Sequence, residues 1–355
     1  MSEVVTVSLR GRKLPSWSPI AAAGVAIGLT AALAAAGAVS GRGQVTVLAV
    51  VLFLFLHSAA SMLVEGQRQA KNRLFTTGVY AAFLLAIIPL GLIIGQVIAQ
   101  GAGALSPTFI THSMFRINPD TAGGGLYHAI VGTLEQGLLA GAIATPIGVL
   151  AAIYLVEYGK RNSLARMVSF FVDIMVGIPS IVAGLFVYTF WILVLGFQKS
   201  GFAGALALFI IMLPLVIRST EEMLKLVAHE LRESSYALGI PQWKTIVKVV
   251  LPTAMGGIVT GVMLGLARVM GETAPLLLLV GSNSKINFNP FSFGSTQNPQ
   301  MSLPTFINEQ FQNASGSSAA PAYDRAWGAA LVLIIIVMVL NGIARLVARL
   351  FRANG

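Results

Sequence analysis

Glu233-Ser-Ser-Tyr-Ala-Leu-Gly239-Ile-Pro-Gln-Trp-Lys-Thr-Ile-Val-Lys-Val249-Val-Leu251-Pro252 is a polar interruption between two apolar runs. Just upstream the chain turns charged, at Glu221, Glu222, Lys225, His229, Glu230 and Arg232. Glu221 and Lys225 stand four apart, in the order that supports a helix. The spacing predicts a helix through Ala237 that stops near Gly239. Glycine accepts the left-handed backbone of a helix end, and Pro241 cannot continue the helix. Trp243, Lys244 and Lys248 then lead into a second helix that enters the next apolar run near Leu251-Pro252. The expected shape is a short helix, a sharp turn and a re-entry, a rigid knob able to pass force from a soluble partner. An ordinary charged loop is the competing reading of the same residues.

The flanking runs decide the fold class. Of 355 residues, 56% are hydrophobic and only 10% charged, against roughly 25% charged in an ordinary soluble domain. A single soluble core stops growing near ~250–300 residues, so lipid is the solvent that accounts for this much apolar surface. A membrane span needs ~20 apolar residues. Eight segments qualify: 18–40, 44–64, 77–99, 126–156, 167–196, 202–218, 249–281 and 324–346. The reading is an all-α polytopic membrane protein. The first span has Arg10, Arg12 and Lys13 ahead of it, as a secretory signal would. Its apolar run is too long for one, and a second span follows almost at once.

The formal net charge is +10, but the basic residues sit in short clusters between spans rather than in one patch, which excludes nucleic acid as a partner. With the N-terminus inside, seventeen of the 23 Lys and Arg fall on inner segments, among them Lys160, Arg161 and Arg352. Five fall on outer ones, and Arg268 lies within a span. That bias puts both termini in the cytoplasm. The resulting layout is a cytoplasmic N-terminus over 1–17, a two-helix segment over 18–66 and a main membrane domain over 77–352. The inner loop is 219–248. Two outer segments are long. One, 100–125, contains Pro107, Pro119 and Gly123-Gly124-Gly125. The other, 282–322, is rich in Asn, Ser, Gln and Pro, and is either a docking surface for an extracytoplasmic partner or a flexible connection.

There is no cysteine, which excludes disulfides, iron–sulfur clusters and thiolate zinc sites. His57, His112, His128 and His229 are widely spaced, and no metal site is expected. No phosphate-binding GxxxxGK[ST] loop occurs, nor a GxGxxG with an acidic partner. If ATP drives this protein, another chain binds it, and no catalytic residue is assigned here.

The seventh span carries the most chemistry. Gly257, Gly261 and Gly265 recur every four residues, a small-residue ladder that lets helices approach closely. At ~100° per residue, Arg268, Glu272 and Pro275 continue the glycine face. Arg268 lies sixteen residues past Pro252, ~24 Å along a helix at 1.5 Å per residue. A charge so deep costs at least ~2.5–3.5 kcal/mol. It therefore either pairs structurally with Glu272, four residues on, or meets an anion in a translocation path, where its planar fork of donors suits phosphate or carboxylate. In the second reading Glu272 holds the arginine in place. Arg218, after Pro214, ends the sixth span and is a weaker candidate for the path. Asp173 and Glu135 are read as inter-helix contacts, Glu135 having no evident local partner.

Glu233-Ser-Ser, three residues, Gly239, nine residues, then Val249-x-Leu251-Pro252 resembles the "EAA" loop of importer permeases of the ATP-binding-cassette class. Ser234 and Ser235 replace two alanines and Val249 an isoleucine, all small or nearly isosteric changes. Val216-Ile-Arg-Ser-Thr-Glu-Glu-Met-Leu224, Ala267-Arg-Val-Met-Gly-Glu-Thr-Ala-Pro275, Glu157-Tyr-Gly159, Pro179-Ser-Ile-Val182 and Gly184-Leu-Phe-Val-Tyr188 narrow this further. From about residue 77 to the C-terminus the chain resembles the A-type permease of the bacterial phosphate-specific transport system. The resemblance implies a type I importer core of six transmembrane helices in the bacterial inner membrane, with residues 18–66 as an N-terminal addition. It implies a paralogous C-type permease beside this chain and an extracytoplasmic phosphate-binding protein outside. Two ATPase subunits carrying ATP and magnesium would sit below, with Glu233, Ser234, Ser235, Gly239 and Pro252 at their contact. It also implies Arg218 and Arg268 as the residues that meet phosphate, and membrane lipid around the chain.

The residues leave three other readings to set beside this one. An importer for sulfate or molybdate fits the loop equally well. A secondary transporter or channel lacks support, because no inverted repeat is visible and the hinge spacing would be idle. A membrane enzyme would gather carboxylates or histidines at one surface, and here they are dispersed.

Overall fold

In a computed structural model the described residues are 13–39, 41–118, 120–159, 162–291, 298–316 and 319–353. Arg10, Arg12, Pro119, Lys160 and Arg161, used above, lie outside them, as do the side chains of Arg42 and Arg352. The chain divides into two compact units, Met1–Gly95 and Gln96–Gly355.

The first unit holds helix α1 (Ser18–Ala35), helix α2 (Arg42–Glu65) and most of helix α3 (Gln67–Gly101). Glu65 is its polar knot. Its carboxylate accepts from the Leu14 amide at 2.7 Å, Ser61 Oγ at 2.8 Å and the Arg73 guanidinium at 2.7 Å. Elsewhere these helices turn Leu63, Leu85 and Leu92 outward, a surface that lipid solvates at no cost.

The second unit continues with the short α4 (Pro107–Thr111), then α5 (Tyr127–Ile153), which a wide π-turn, Tyr154–Tyr158, prolongs. Next come α6 (Ser163–Gly177) and α7 (Ser180–Val187), the latter running on to Val194. Then follow α8 (Gly201–Leu226), α9 (His229–Ala237) and α10 (Gln242–Thr245), which passes through a second π-turn, Ile246–Val250, into α11 (Leu251–Val269). Three helices complete the unit: α12 (Ala274–Leu279), α13 (Leu303–Asn313) and α14 (Ala319–Ala353). Among the described residues the only extended pairing is one isolated bridge, Ser200 to Asn298.

Seven of these segments are long and apolar enough to cross a membrane, and the α6–α7 pair makes eight if it counts as one crossing. The basic-residue bias calls for an even number, which only the count of eight meets. The fifth predicted span is not a straight helix, because α6 and α7 meet at a bend of 106°. Pro179 explains it. Proline forces the preceding residue out of the helical region, and Ile178 is extended at ψ 130°. The seventh predicted span also breaks. After Val269 the backbone tightens, with Gly271 N bonding Arg268 O at 3.2 Å and Glu272 N bonding Val269 O at 3.1 Å. The chain restarts as α12, with Pro275 in its first turn, where the missing N–H costs nothing.

Helix α8 is the centre of this unit. It packs on α5 and α11 through Leu208, Met212 and Val216, which meet Ala140, Ala144 and Leu266 in the main core cluster. Small residues allow the approach: a Cβ added at Gly148 would lie 2.7 Å from Val216 Cγ1. In lipid such close packing, rather than a hydrophobic force, holds helices together.

Candidate functional site

The polar interruption folds as two short helices fastened beneath the bundle. The first predicted helix is split. α8 runs on to Leu226, Val227 is extended at ψ 125°, and α9 starts at His229. Glu221 and Lys225 therefore lie on α8, paired at 2.7 Å. Helix α9 closes with Gly239 at φ +74°, Ile240 N bonding Ser235 O at 3.2 Å and Gly239 N bonding Tyr236 O at 2.9 Å. That is the six-to-one and five-to-two pattern of a glycine helix stop.

Arg232 does the fastening. Its buried guanidinium donates to Glu157 Oε1 at 2.8 and 3.2 Å, and to the carbonyls of Leu224 at 2.8 Å and Val227 at 2.6 Å. It thereby caps the end of α8 and reaches the π-turn that ends α5. Gln242 Nε2 donates to the Glu157 carbonyl at 2.9 Å, and Ser235 shares a 2.7 Å hydrogen bond with Thr245 between the two short helices. Ser235 is thus buried inside the knob, whereas Ser234 is exposed. Glu233 is also exposed, 3.1 Å from His229 Nδ1. Leu238 and Trp243, 80% and 62% exposed, complete a free face that is part apolar and part charged. Pro252, exposed, opens α11.

Sequence reasoning missed the Arg232–Glu157 pair. Its partners lie 75 residues apart, and only an acid at the end of a long apolar run hinted at it.

The two arginines carried forward from the sequence differ in their surroundings. Arg218 is not at a helix end but two turns inside α8. Its Nη1 donates to Glu221 Oε2 at 2.5 Å, and its Nη2 to Asp173 and to Ser169, carbonyl at 3.1 Å and hydroxyl at 2.9 Å. Asp173 thereby gains the inter-helix role expected of it. Arg268 is in the last turn of α11, a position that favours a cation. Among the described residues no ion pair joins it to Glu272. The predicted pairing required an unbroken helix, and the tightened turn at 270–272 removes the four-residue register. The glycine-face argument likewise stops at Arg268 and does not extend to Glu272 or Pro275.

Instead, Arg268 and Glu272 both line one cavity of about 230 Å³ with Pro179, Ser180 and Ala183 from the α6–α7 bend. The bend makes the room. α7 leans onto α12, where a Cβ on Gly184 would come 2.7 Å from Pro275 Cα. Arg268 is exposed and Glu272 half-buried. The glycine ladder leading to this point faces α8. A Cβ at Gly257 would meet Met223 Cγ at 2.7 Å and one at Gly261 would meet Ser219 Cβ at 2.6 Å, while one at Gly265 would meet nothing nearer than Met212 at 3.7 Å, an ordinary contact.

Glu135 has the partner that the sequence did not reveal: Gln300 Nε2, itself bonded to the Asn287 carbonyl at 2.9 Å. Gln136 Nε2 donates to the Gln300 carbonyl at 2.9 Å. The described part of the segment 282–322 is therefore folded onto the bundle rather than loose. Among the described residues no group of acidic and histidine side chains could hold a metal ion.

The family described as "Binding-protein-dependent transport system inner membrane component" matches residues 144–353, a stretch that takes in the bend, the knob and both arginines. The chain belongs to that family. Within it, the chain is 48% identical over 276 residues to the phosphate transport system permease protein PstA 1 of Mycobacterium tuberculosis (strain ATCC 25618 / H37Rv), covering 78% of this chain and 86% of that one. It is 40% identical over 286 residues to the phosphate transport system permease protein PstA of Yersinia pestis, covering 80% and 92%. Among solved structures, a crystal structure of a bacterial ABC transporter involved in the import of the acidic polysaccharide alginate superposes with a TM-score of 0.52 at 18% identity. The match covers 80% of this chain and 99% of that one. Such a likeness speaks for the fold alone. An inner membrane component with seven to eight crossings is a multi-pass membrane protein, as the composition required.

Proposed function

We propose that this chain is the membrane permease subunit of an ATP-driven importer of inorganic phosphate. The observation that carries the reading is identity of 48% across 78% of the chain with a phosphate transport permease. The chain's own chemistry is consistent with it: Arg268, with no ion-pair partner among the described residues, lines a cavity at a helix break. The finer roles are as follows. The free face around Glu233, Ser234, Leu238 and Trp243 seats a separate ATPase subunit, which holds ATP and magnesium. A second permease, of the paralogous C type, completes the path. The main domain, 77–352, forms this chain's half of it, and residues 18–66 are an addition that assembly of the core does not require. An extracytoplasmic phosphate-binding protein delivers the substrate to the far side.

Arg268 is the residue that meets the anion. A guanidinium offers phosphate two parallel charge-assisted hydrogen bonds, and among the described residues no carboxylate holds it. Glu272, in the same cavity lining, serves as a counter-charge. Arg218 reaches phosphate only if it gives up Asp173, an exchange that a movement of α6 against α8 would allow. Force applied to the knob reaches both residues directly, because α8 leaves it toward Arg218 and α11 leaves it toward Arg268.

The test compares uptake of labelled phosphate and labelled sulfate in cells with and without this chain. Phosphate uptake that depends on the chain, with sulfate uptake unchanged, is the expected result. Chain-dependent uptake of sulfate instead would refute the choice of cargo.

A further inference from the structure

At the end of α5 opposite Glu157, a cavity of about 430 Å³ lies among α5, α13, α14 and the segment 114–117. His128 and Glu157 are 29 residues apart along α5, ~43 Å at 1.5 Å per residue, more than the ~30 Å of a bilayer's hydrocarbon. The cavity is therefore on the membrane face away from the knob. Its volume is many times the ~30 Å³ that one water occupies.

Two observations point to an occupant. His128 lines this cavity and is 2% exposed, yet neither ring nitrogen has a hydrogen-bond partner among the described residues. Its one ring contact is edge-on to Phe306 at 5.5 Å. An imidazole always carries at least one N–H, and a buried donor left unanswered calls for a missing ligand or water. Arg116 also lines the cavity, and it alone among the described non-glycine residues has a positive φ, 61°. Strain of that kind is retained where the surroundings demand it. Its guanidinium sits 5.1 Å over the Phe115 ring, and Lys285 Nζ sits 4.9 Å from the same ring. Two cations gathered at one ring make the rim beside the cavity electropositive, which favours the approach of an anion. Arg325, buried and oriented by Gln310 at 2.9 Å and the Thr121 carbonyl at 3.1 Å, adds a further cationic wall. The one acid of the lining, Glu309, accepts from Ser282 at 2.8 Å.

We propose that this cavity is an entry site for a small tetrahedral oxyanion, inorganic phosphate first, held by Arg116, His128 and Arg325 before it moves on to the bend at Arg268. The proposal rests on the phosphate-importer reading and adds a binding step to it. A fork of arginine donors and an imidazole N–H together suit a tetrahedron of oxygens.

The experiment measures equilibrium binding of radiolabelled orthophosphate to the complete membrane complex in lipid nanodiscs, without soluble binding protein and without ATP. Saturable binding is expected, weakened about tenfold in Arg116→Asn by loss of one charge-assisted contact. Asparagine tolerates positive φ and Arg116 is exposed, so that variant keeps the fold. His128→Phe, which keeps the packing on Phe306, is expected to weaken binding to a similar degree. Binding equal in the wild type and both variants would overturn the entry site. So would absence of saturable binding in a complex that still transports phosphate once binding protein and ATP are supplied. Failure of the unaltered complex to transport phosphate at all would overturn the importer reading itself.

Discussion

The knob at 229–250 and the cavity at Arg268 treat charge in opposite ways. At the knob every internal charge is answered. Arg232 is buried against Glu157 and two carbonyls, and Arg218, just above, is shared among Asp173, Glu221 and Ser169. At the bend Arg268 has room beside it and no ion pair among the described residues. On the proposed function the knob transmits force and so has to be stiff, which saturated charge pairs favour. The bend, on the same proposal, receives an anion and so has to keep a cation unspent. The difference separates two arginines that look equivalent in sequence.

The largest effect should come from the stiff region. Arg232→Leu strands Glu157, whose side chain is 3% exposed, as a buried charge without compensation, at a cost of ~3–5 kcal/mol. Thermal unfolding of the purified chain in detergent would show it, and the double replacement Arg232→Leu with Glu157→Leu should regain most of the loss. A single variant as stable as the wild type would mean that the pair fastens nothing.

Next in size is the contrast between the two arginines. Arg268→Gln should lower phosphate uptake about a hundredfold, the worth of a charge-assisted bidentate contact at ~3 kcal/mol, while its melting temperature barely moves. Arg218→Gln should do the reverse in melting and fall clearly below Arg268→Gln in stability. Equal melting temperatures for the two would erase the distinction drawn here.

A smaller effect divides the glycine ladder. Gly261→Ala drives a methyl against Ser219 Cβ, which cannot yield without its helix, and should cost ~1–3 kcal/mol. Gly265→Ala, whose methyl would make an ordinary 3.7 Å contact with Met212, should be close to neutral. Melting curves of both variants decide it.

What was legible in the sequence was local. The helix stop at Gly239, the i to i+4 pair Glu221–Lys225 and the apolar segments follow from neighbours along the chain, and the structure has the first two and seven crossing helices, eight if the bent α6–α7 pair counts as one. What was not legible depends on partners far away or on where a helix gives out. Arg232 finds Glu157 across 75 residues, Glu135 finds Gln300 across 165, and Arg218 finds Asp173 across 45. The bend at Pro179 was only half visible: proline promised a break but could not supply the angle. The tightened turn after Val269 misled the sequence reading most, because a helical wheel continued past it pairs Arg268 with Glu272.

The central claim is that power enters at the knob and the anion meets Arg268. It is tested most directly by reconstituting the membrane complex with its ATPase and measuring ATP hydrolysis and phosphate uptake together in Glu233→Arg and Arg268→Gln. The account predicts that Glu233→Arg loses the ATPase on purification, and that Arg268→Gln keeps both the ATPase and its hydrolysis while uptake collapses. Wild-type uptake by Arg268→Gln, or unaltered ATPase retention and transport by Glu233→Arg, would contradict it.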